Sequence, residues 1–131
     1  MNRKHVEEIG KKSKAERWPF PKTFEELKAA GVASYKFDVA TAETTFTGDD
    51  GAYFSEVLDA AGAVSIAPAL DASAVLAAIK RHMMDKTPFL DFRADAARAG
   101  VQYWEVDMNA RTCAYFGKDG GRHIEQVPQR S

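Results

Sequence analysis

The chain has 131 residues, of which 45% are hydrophobic and 28% charged, and its formal net charge is −1 at pH 7. This length suits one domain that buries about two-thirds of its unfolded surface, and the near-zero charge excludes a protein that attracts nucleic acid or an anionic membrane electrostatically. The single cysteine excludes an internal disulfide. Because neither a signal peptide nor an apolar run of membrane-spanning length is found, a cytoplasmic protein is predicted.

Two helices are predicted in the first part of the chain. Residues 2–17 indicate a polar helix with Asn2 as its N-cap, and the prolines of the segment 18–21 end it. Thr23 and Glu26 have the spacing of a capping box, which predicts a second helix that begins there. Gly31 is placed to end this helix in a left-handed conformation.

Two further helices are predicted in the middle of the chain, after a loop at residues 58–70 with a short strand at 64–66. Asp71 is the expected N-cap of a helix that runs to about Met84 and packs through one apolar stripe. The stripe consists of Val75, Leu76, Ile79 and Met83. Thr87 and Pro88 are typical of the start of the next helix, which Gly100 ends. Its inward residues are Phe89, Phe92, Ala96 and Ala99.

Strand patterns occur in two groups of three, each group joined by glycine-rich or asparagine-containing turns. The predicted strands are Ser34–Val39, Thr44–Thr47, Ala52–Val57, Val101–Asp107, Thr112–Phe116 and Arg122–Val127. Such hairpins need helices packed on one face for stability. The predicted fold is therefore a single α+β domain over residues 1–131, with an antiparallel sheet of two meander units, helices on one face and a disordered tail at 129–131.

The two strand groups are similar when the sequence is shifted by 69 residues. Identical pairs include Gly31 and Gly100, Asp38 and Asp107, Gly48 and Gly117, and Asp50 and Asp119. Either a duplication or shared turn chemistry explains the match. In both cases the alignment predicts that Tyr35, Phe37, Trp104 and Val106 face the helices.

Motifs for metal, cofactor or catalytic chemistry are absent from the sequence. His5, His82 and His123 have no second ligand at metal-binding spacing, and Cys113 lies mid-strand without a neighbouring cation. No phosphate-binding loop, dinucleotide fingerprint or nucleophile elbow is present. The sequence therefore predicts no metal site, no cofactor and no catalytic residue, with Cys113 as a small packing residue.

One group of polar side chains is a candidate binding site. If the strands alternate as predicted and Ile124 points inward, five residues share the sheet face without helices: Tyr103, Glu105, Asp107, His123 and Glu125. The set can hydrogen-bond a polar ligand, a protein or a second subunit. The alternative is an ordinary solvated face of an antiparallel sheet.

Several motifs resemble a known family. They include Phe20-Pro21, Ala30-Gly31-Val32, Thr44-x-Phe46-x-Gly48-x-Asp50-Gly51 and Gly100-Val101-x-x-Trp104-x-Val106-Asp107. The pattern is similar to the YbcV-like family, small bacterial and prophage-associated proteins of unknown function, some of which are labelled phage envelope protein. The resemblance implies an α+β domain and no established catalytic residues.

These observations favour a non-enzymatic binding or interaction module that acts through the open sheet face or an edge strand. Its expected partner is a protein, a small molecule or a second copy in a homodimer, with neither nucleic acid nor membrane as a partner. The alternative is an enzyme or small-molecule-binding protein with a pocket between the sheet and the helices of residues 71–99. A phage-associated structural protein is a third hypothesis.

Overall fold

The computed structural model describes residues 1–58 and 62–127, and these form four helices and one six-stranded antiparallel sheet. In chain order the elements are α1 (Arg3–Ala15), α2 (Phe20–Ala29), β1 (Val32–Asp38), β2 (Glu43–Gly48), β3 (Tyr53–Val57), α3 (Ala72–Asp85), α4 (Phe89–Arg98), β4 (Val101–Asp107), β5 (Thr112–Gly117) and β6 (Arg122–Gln126). The strands lie in the order β3-β2-β1-β4-β5-β6. The predicted α+β fold is confirmed. The predicted tail at 129–131 lies outside the described residues.

The helix ends follow the local chemistry of the sequence at four positions. The Asn2 side chain accepts a hydrogen bond from the backbone N–H of His5, and Asp71 caps α3 in the same way. Gly31 and Gly100 have φ values of +93° and +86°, where a Cβ is unfavourable. These four predicted caps and stops are confirmed. Within the described ranges, no helix is long and apolar enough to cross a membrane.

Two predicted helix starts and one predicted strand are wrong. Helix α2 begins at Phe20 with Pro19 as its N-cap, because proline's fixed φ suits the first turn, so the capping box at Thr23 lies inside the helix. Pro88, and not Thr87, is the N-cap of α4, and the Thr87 hydroxyl lies 2.8 Å from Nδ1 of His82. Residues 64–66 form no strand.

The predicted apolar stripe of α3 is partly wrong. Val75 and Ala78 are buried, whereas Leu76 is 46% and Met83 61% exposed. The buried side of α3 is centred on Val75 and Ala78, and Leu76 and Met83 lie about 80–100° from Val75 around the helix, on the flank that faces solvent. The described residues therefore leave a group of exposed apolar side chains on the outside of α3.

The core lies between the helices and one face of the sheet. Trp104 is only 6% exposed, and its ring contacts those of Phe37 and Phe92 at centroid distances of 4.5 and 5.3 Å. Further buried side chains from both layers include Val6, Phe24, Val32, Phe46, Val101, Val106 and Tyr115. The predicted inward direction of Trp104 and Val106 is confirmed, and side chains fill the interface between helices and sheet.

The structure consists of two equivalent halves, the first from α1 to β3 and the second from α3 to β6. Each element of the second half begins 69 residues after its counterpart, as at Arg3 and Ala72 or Val32 and Val101. The halves join through the antiparallel pair β1–β4, in which the equivalent residues Lys36 and Glu105 are directly paired. A pseudo-twofold axis therefore passes through the centre of the sheet.

Contacts outside the strands repeat as well. The backbone nitrogen of Met1 lies 3.1 Å from the Asp50 carboxylate, and that of Leu70 lies 3.4 Å from the equivalent Asp119. Shared turn chemistry alone would not space the helices and their contacts equally. The sequence similarity between the two strand groups thus corresponds to a repeat of the whole helical and sheet unit.

Candidate functional site

The register of the sheet assigns every strand residue to one of two faces. We call the face opposite the helices the open face. Its residues in β4 to β6 are Tyr103, Glu105, Asp107, Thr112, Ala114, Phe116, Arg122, Ile124 and Gln126, and those in β1 to β3 are Ser34, Lys36, Asp38, Glu43, Thr45, Thr47, Tyr53, Ser55 and Val57. None of these side chains belongs to the buried core.

The five predicted site residues lie on two different faces. Tyr103, Glu105 and Asp107 are on the open face, as predicted. The prediction that His123 and Glu125 join them is wrong, because these residues pair with the core residues Tyr115 and Cys113 and share the helix-covered face. The four-residue turn between β5 and β6 fixes this register by pairing Phe116 with Arg122.

An apolar patch occupies the second half of the open face, consisting of Tyr103, Ala114, Phe116 and Ile124. The rings of Tyr103 and Phe116 stack with their centroids 4.7 Å apart and their planes 16° apart. Lys36 places its Nζ 4.2 Å from the centre of the Tyr103 ring. Ile124, which was predicted to point inward, is 49% exposed. The patch is thus a ridge of two ordered rings beside the shallow surface at Ala114.

The first half has hydroxyl side chains at the backbone positions that correspond to the apolar patch. The residues equivalent to the apolar patch at the 69-residue spacing are Ser34, Thr45, Thr47 and Ser55. The hydroxyls of Thr45 and Ser55 lie 2.8 Å apart across β2 and β3. Elsewhere on this face the first half carries the exposed Tyr53 and Val57, so the two halves differ in where their apolar side chains lie.

His123 and Glu125 form a separate pair at the helix-covered edge, with His123 Nε2 2.9 Å from Glu125 Oε1. Behind them lies Cys113, which is 4% exposed. Burial raises the pKa of the Cys113 thiol to about 12, and it raises the pKa of the Tyr115 hydroxyl as well. Both groups are therefore protonated at neutral pH, a state that suits packing and not nucleophilic chemistry.

Both edge strands direct a glutamate towards the helix layer, Glu56 on β3 and the equivalent Glu125 on β6. Burial raises the pKa of the Glu56 carboxyl, and burial lowers the pKa of the neighbouring Lys14 ammonium. Inward-pointing charges on edge strands discourage the addition of a further strand. The edges are therefore poorer contact surfaces than the open face.

Arg93 is a buried residue that the sequence analysis missed. It is 2% exposed, its Nε donates to the carbonyl of Val39 at 2.8 Å, and its Nη2 donates to the carbonyls of Ala40 and Gly62 at 3.0 and 2.7 Å. The one sequence signal was its equivalence to the apolar Phe24. These bonds give Arg93 a structural role, because they tie α4 to two loops.

The described residues offer little for a metal or a deeply bound ligand. Among them, no group of three or more histidine, cysteine, aspartate or glutamate side chains could hold a metal ion. A groove of about 290 Å³ at α3 and α4 includes Ala78, Arg81 and Asp95, and one of about 370 Å³ runs along α1. Both grooves are open to solvent.

Comparison with known proteins gives a family without an assigned activity. A family model described as "Protein of unknown function (DUF1398)" matches residues 8–125. Uncharacterized proteins of Mycobacterium bovis and of Mycobacterium tuberculosis strains CDC 1551 and H37Rv are each 31% identical over 106 residues. The match covers 81% of this chain and 65% of each relative, so the chain spans a little under two-thirds of their length.

Proposed function

We propose that this chain, which belongs to the DUF1398 family of proteins of unknown function, is a non-enzymatic interaction module. It binds a folded protein surface through the second half of its open face. The observation that supports this is the apolar patch, whose equivalents in the first half are serine and threonine. Ile124 is exposed and the two rings are partly exposed, and apolar side chains grouped on a sheet face that no helix covers are typical of a contact surface.

The geometry of the patch favours a protein over a planar ligand. One face of the Tyr103 ring is stacked on Phe116, and Lys36 lies over a face of the same ring. Bases and sugars bind best to free ring faces, whereas a protein surface can pack on ring edges and on Ile124. Because stacking on each other restricts the two rings before a partner binds, less side-chain entropy is lost when a partner covers them.

The other functions lack comparable support from the described residues. A pocket between sheet and helices would need space where Trp104, Phe37 and Phe92 pack together. The prophage association and the phage structural role implied by the YbcV-like resemblance remain hypotheses, as does a cytoplasmic location. An interaction module agrees with the raised pKa of Cys113 and Tyr115, which leaves these groups protonated.

The test transfers first-half residues to the patch. A variant with Tyr103→Ser, Phe116→Thr and Ile124→Ser carries the side chains of Ser34, Thr47 and Ser55 at equivalent backbone positions, and should therefore fold. The matched control is His123→Gln, a change on the opposite face of β6. Both are compared with the unmodified protein by light scattering and by affinity capture with quantitative mass spectrometry.

We expect the triple variant to lose the associations of the unmodified protein, and the His123→Gln protein to keep them. Thermal unfolding establishes that both variants are folded. A folded triple variant that retains every association would refute the proposal, since binding would then use another surface.

A further inference from the structure

The open face of β1, β4, β5 and β6 carries two neighbouring rows of side chains that complement each other. The first row, in strand order, is Asp38, Tyr103, Phe116 and Arg122, and the second is Lys36, Glu105, Ala114 and Ile124. The rows lie about 7 Å apart along the strands, since alternate residues share a face. Each of the four strands therefore contributes one residue to each row, and these two residues are neighbours on the open face.

Consider a twofold axis that lies parallel to the sheet, runs perpendicular to the strands and passes between the two rows. A second copy generated by this axis places its first row over the second row of the original copy, and its second row over the first. On β5, the large Phe116 of one copy then lies over the small Ala114 of the other. On β1, the Asp38 carboxylate meets the Lys36 ammonium, and on β4 the Tyr103 hydroxyl lies near the Glu105 carboxylate. Three of the four pairs therefore match in size, charge or hydrogen-bonding capacity, whereas on β6 the Arg122 side chain lies over Ile124, which its aliphatic stem can cover while its charged end stays in solvent.

We propose that a second copy of this chain packs on the open face, giving a symmetric face-to-face dimer. This proposal rests on the proposed function, because it identifies the protein surface that the apolar patch contacts. Most soluble oligomers are symmetric dimers of this isologous kind, in which one patch binds itself. The charges around the patch have both signs, Lys36 and Arg122 as well as Asp38 and Glu105, and this suits self-association better than binding to a strongly charged partner.

The size of the patch determines how strong the dimer is. Four strands at about 4.8 Å spacing span roughly 19 Å, and packed sheets cross at about 30°, so their corners diverge. The buried area therefore falls at the lower end of the range for specific interfaces, below the standard of about 800 Å² per partner. We expect a reversible dimer with a dissociation constant in the micromolar range.

The experiment measures sedimentation of the full chain as a function of concentration. Ala114→Arg fills the space that the Phe116 ring of the second copy occupies, which keeps the two sheets apart and should raise the dissociation constant by about tenfold or more. Ser55→Arg is the control, because it introduces the same side chain on the open face of the first half. Ser55 lies on the edge strand β3, two strands or about 10 Å from β1, the nearest strand of the proposed interface, so the dimer should persist.

A charge exchange then tests the orientation. Lys36→Glu and Asp38→Lys should each prevent self-association. In a dimer of either variant, position 36 of each copy would face a like charge at position 38 of the other. An equimolar mixture of the two should restore a dimer, in which every contact again joins opposite charges. Because Asp38 also accepts a hydrogen bond from the backbone N–H of Thr41 at 3.1 Å, folding of that variant is checked by thermal unfolding. If it does not fold, Ala114→Phe with Phe116→Ala provides the same complementation by size.

The outcomes separate this inference from the proposed function. A monomer at all concentrations up to the millimolar range, a dimer unaffected by Ala114→Arg, or variants that fail to complement one another would each overturn the face-to-face dimer. The proposed function is refuted only by the triple variant of the apolar patch, which reports on any protein bound there.

Discussion

Replacement of Trp104 by alanine would measure how much stability the interface between helices and sheet provides. The side chain is 6% exposed, and four aromatic rings surround it. The centroid distances are 4.5 Å to Phe37, 5.3 Å to Phe92, 6.0 Å to Tyr115 and 6.1 Å to Phe89. Truncation would leave a cavity among side chains that come from both layers and therefore cannot easily collapse.

We expect Trp104→Ala to lower the free energy of unfolding by about 3–5 kcal/mol, the usual range for a buried tryptophan or phenylalanine. Each well-oriented aromatic pair contributes about 0.5–1.5 kcal/mol of such a loss. Trp104→Tyr is the matched variant, because tyrosine stands at the equivalent position 35 in the first half. It keeps one ring in place and should cost about 1–2 kcal/mol.

The assay is urea unfolding followed by far-ultraviolet circular dichroism at 25 °C, with the midpoint and slope fitted for each variant. Trp18→Phe serves as the control, since Trp18 is only partly buried near α2, and it should cost less than about 1 kcal/mol. A Trp104→Ala protein within about 1 kcal/mol of the unmodified chain would show that this interface is not the main source of stability.

Two further predictions concern single positions. Gly31→Ala should lower the free energy of unfolding by about 1 kcal/mol, and Gly100→Ala should lower it clearly more. An added Cβ at Gly100 would lie 2.6 Å from the carbonyl carbon of Ala69, whereas at Gly31 its nearest neighbour is the Met1 Cα at 3.2 Å. Equal urea midpoints for the two variants would contradict this. Burial lowers the pKa of His82, so the unfolded chain binds more protons below about pH 6.5, and stability should fall as the pH decreases through that value. His82→Gln should flatten this dependence in urea midpoints measured at pH 5 and 7.5, and an unchanged slope would assign it to other groups.

Four of the helix ends could be predicted from the sequence because their requirement is local. Glycine is the usual left-handed residue after a helix, and Gly31 and Gly100 take that conformation, although Arg17 and Lys86 take it after α1 and α3. Asn2 and Asp71 place an acceptor oxygen where backbone N–H groups lack partners. In each case one side chain and its own backbone decide the outcome.

The faces of β6 could not be predicted in the same way. Its five residues include one apolar side chain, Ile124, and the usual assumption that it points inward gave the wrong phase. The pairing of Phe116 with Arg122 across the preceding turn sets the register instead. On an edge strand, one misplaced apolar residue costs little, because half of its surface is solvated in any case.

Long-range packing explains why Leu76 was mispredicted and Arg93 was missed. Leu76 stands beside the buried Val75, and which of the two faces the core depends on how α3 is rotated against its neighbours. The burial of Arg93 depends on carbonyl groups of Val39 and Gly62, which lie 54 and 31 residues away. Neither contact leaves a pattern in the local sequence.

The internal repeat separates what the fold needs from what it does not. Positions that both halves share have a clear structural role, such as Gly31 with Gly100 at helix ends and Glu56 with Glu125 on the edge strands. The open face differs, because Thr47 in the first half corresponds to Phe116 in the second. Stacking on Tyr103 stabilises the sheet and is one reason for the aromatic ring at 116, and the partner that we propose on this face would provide a second.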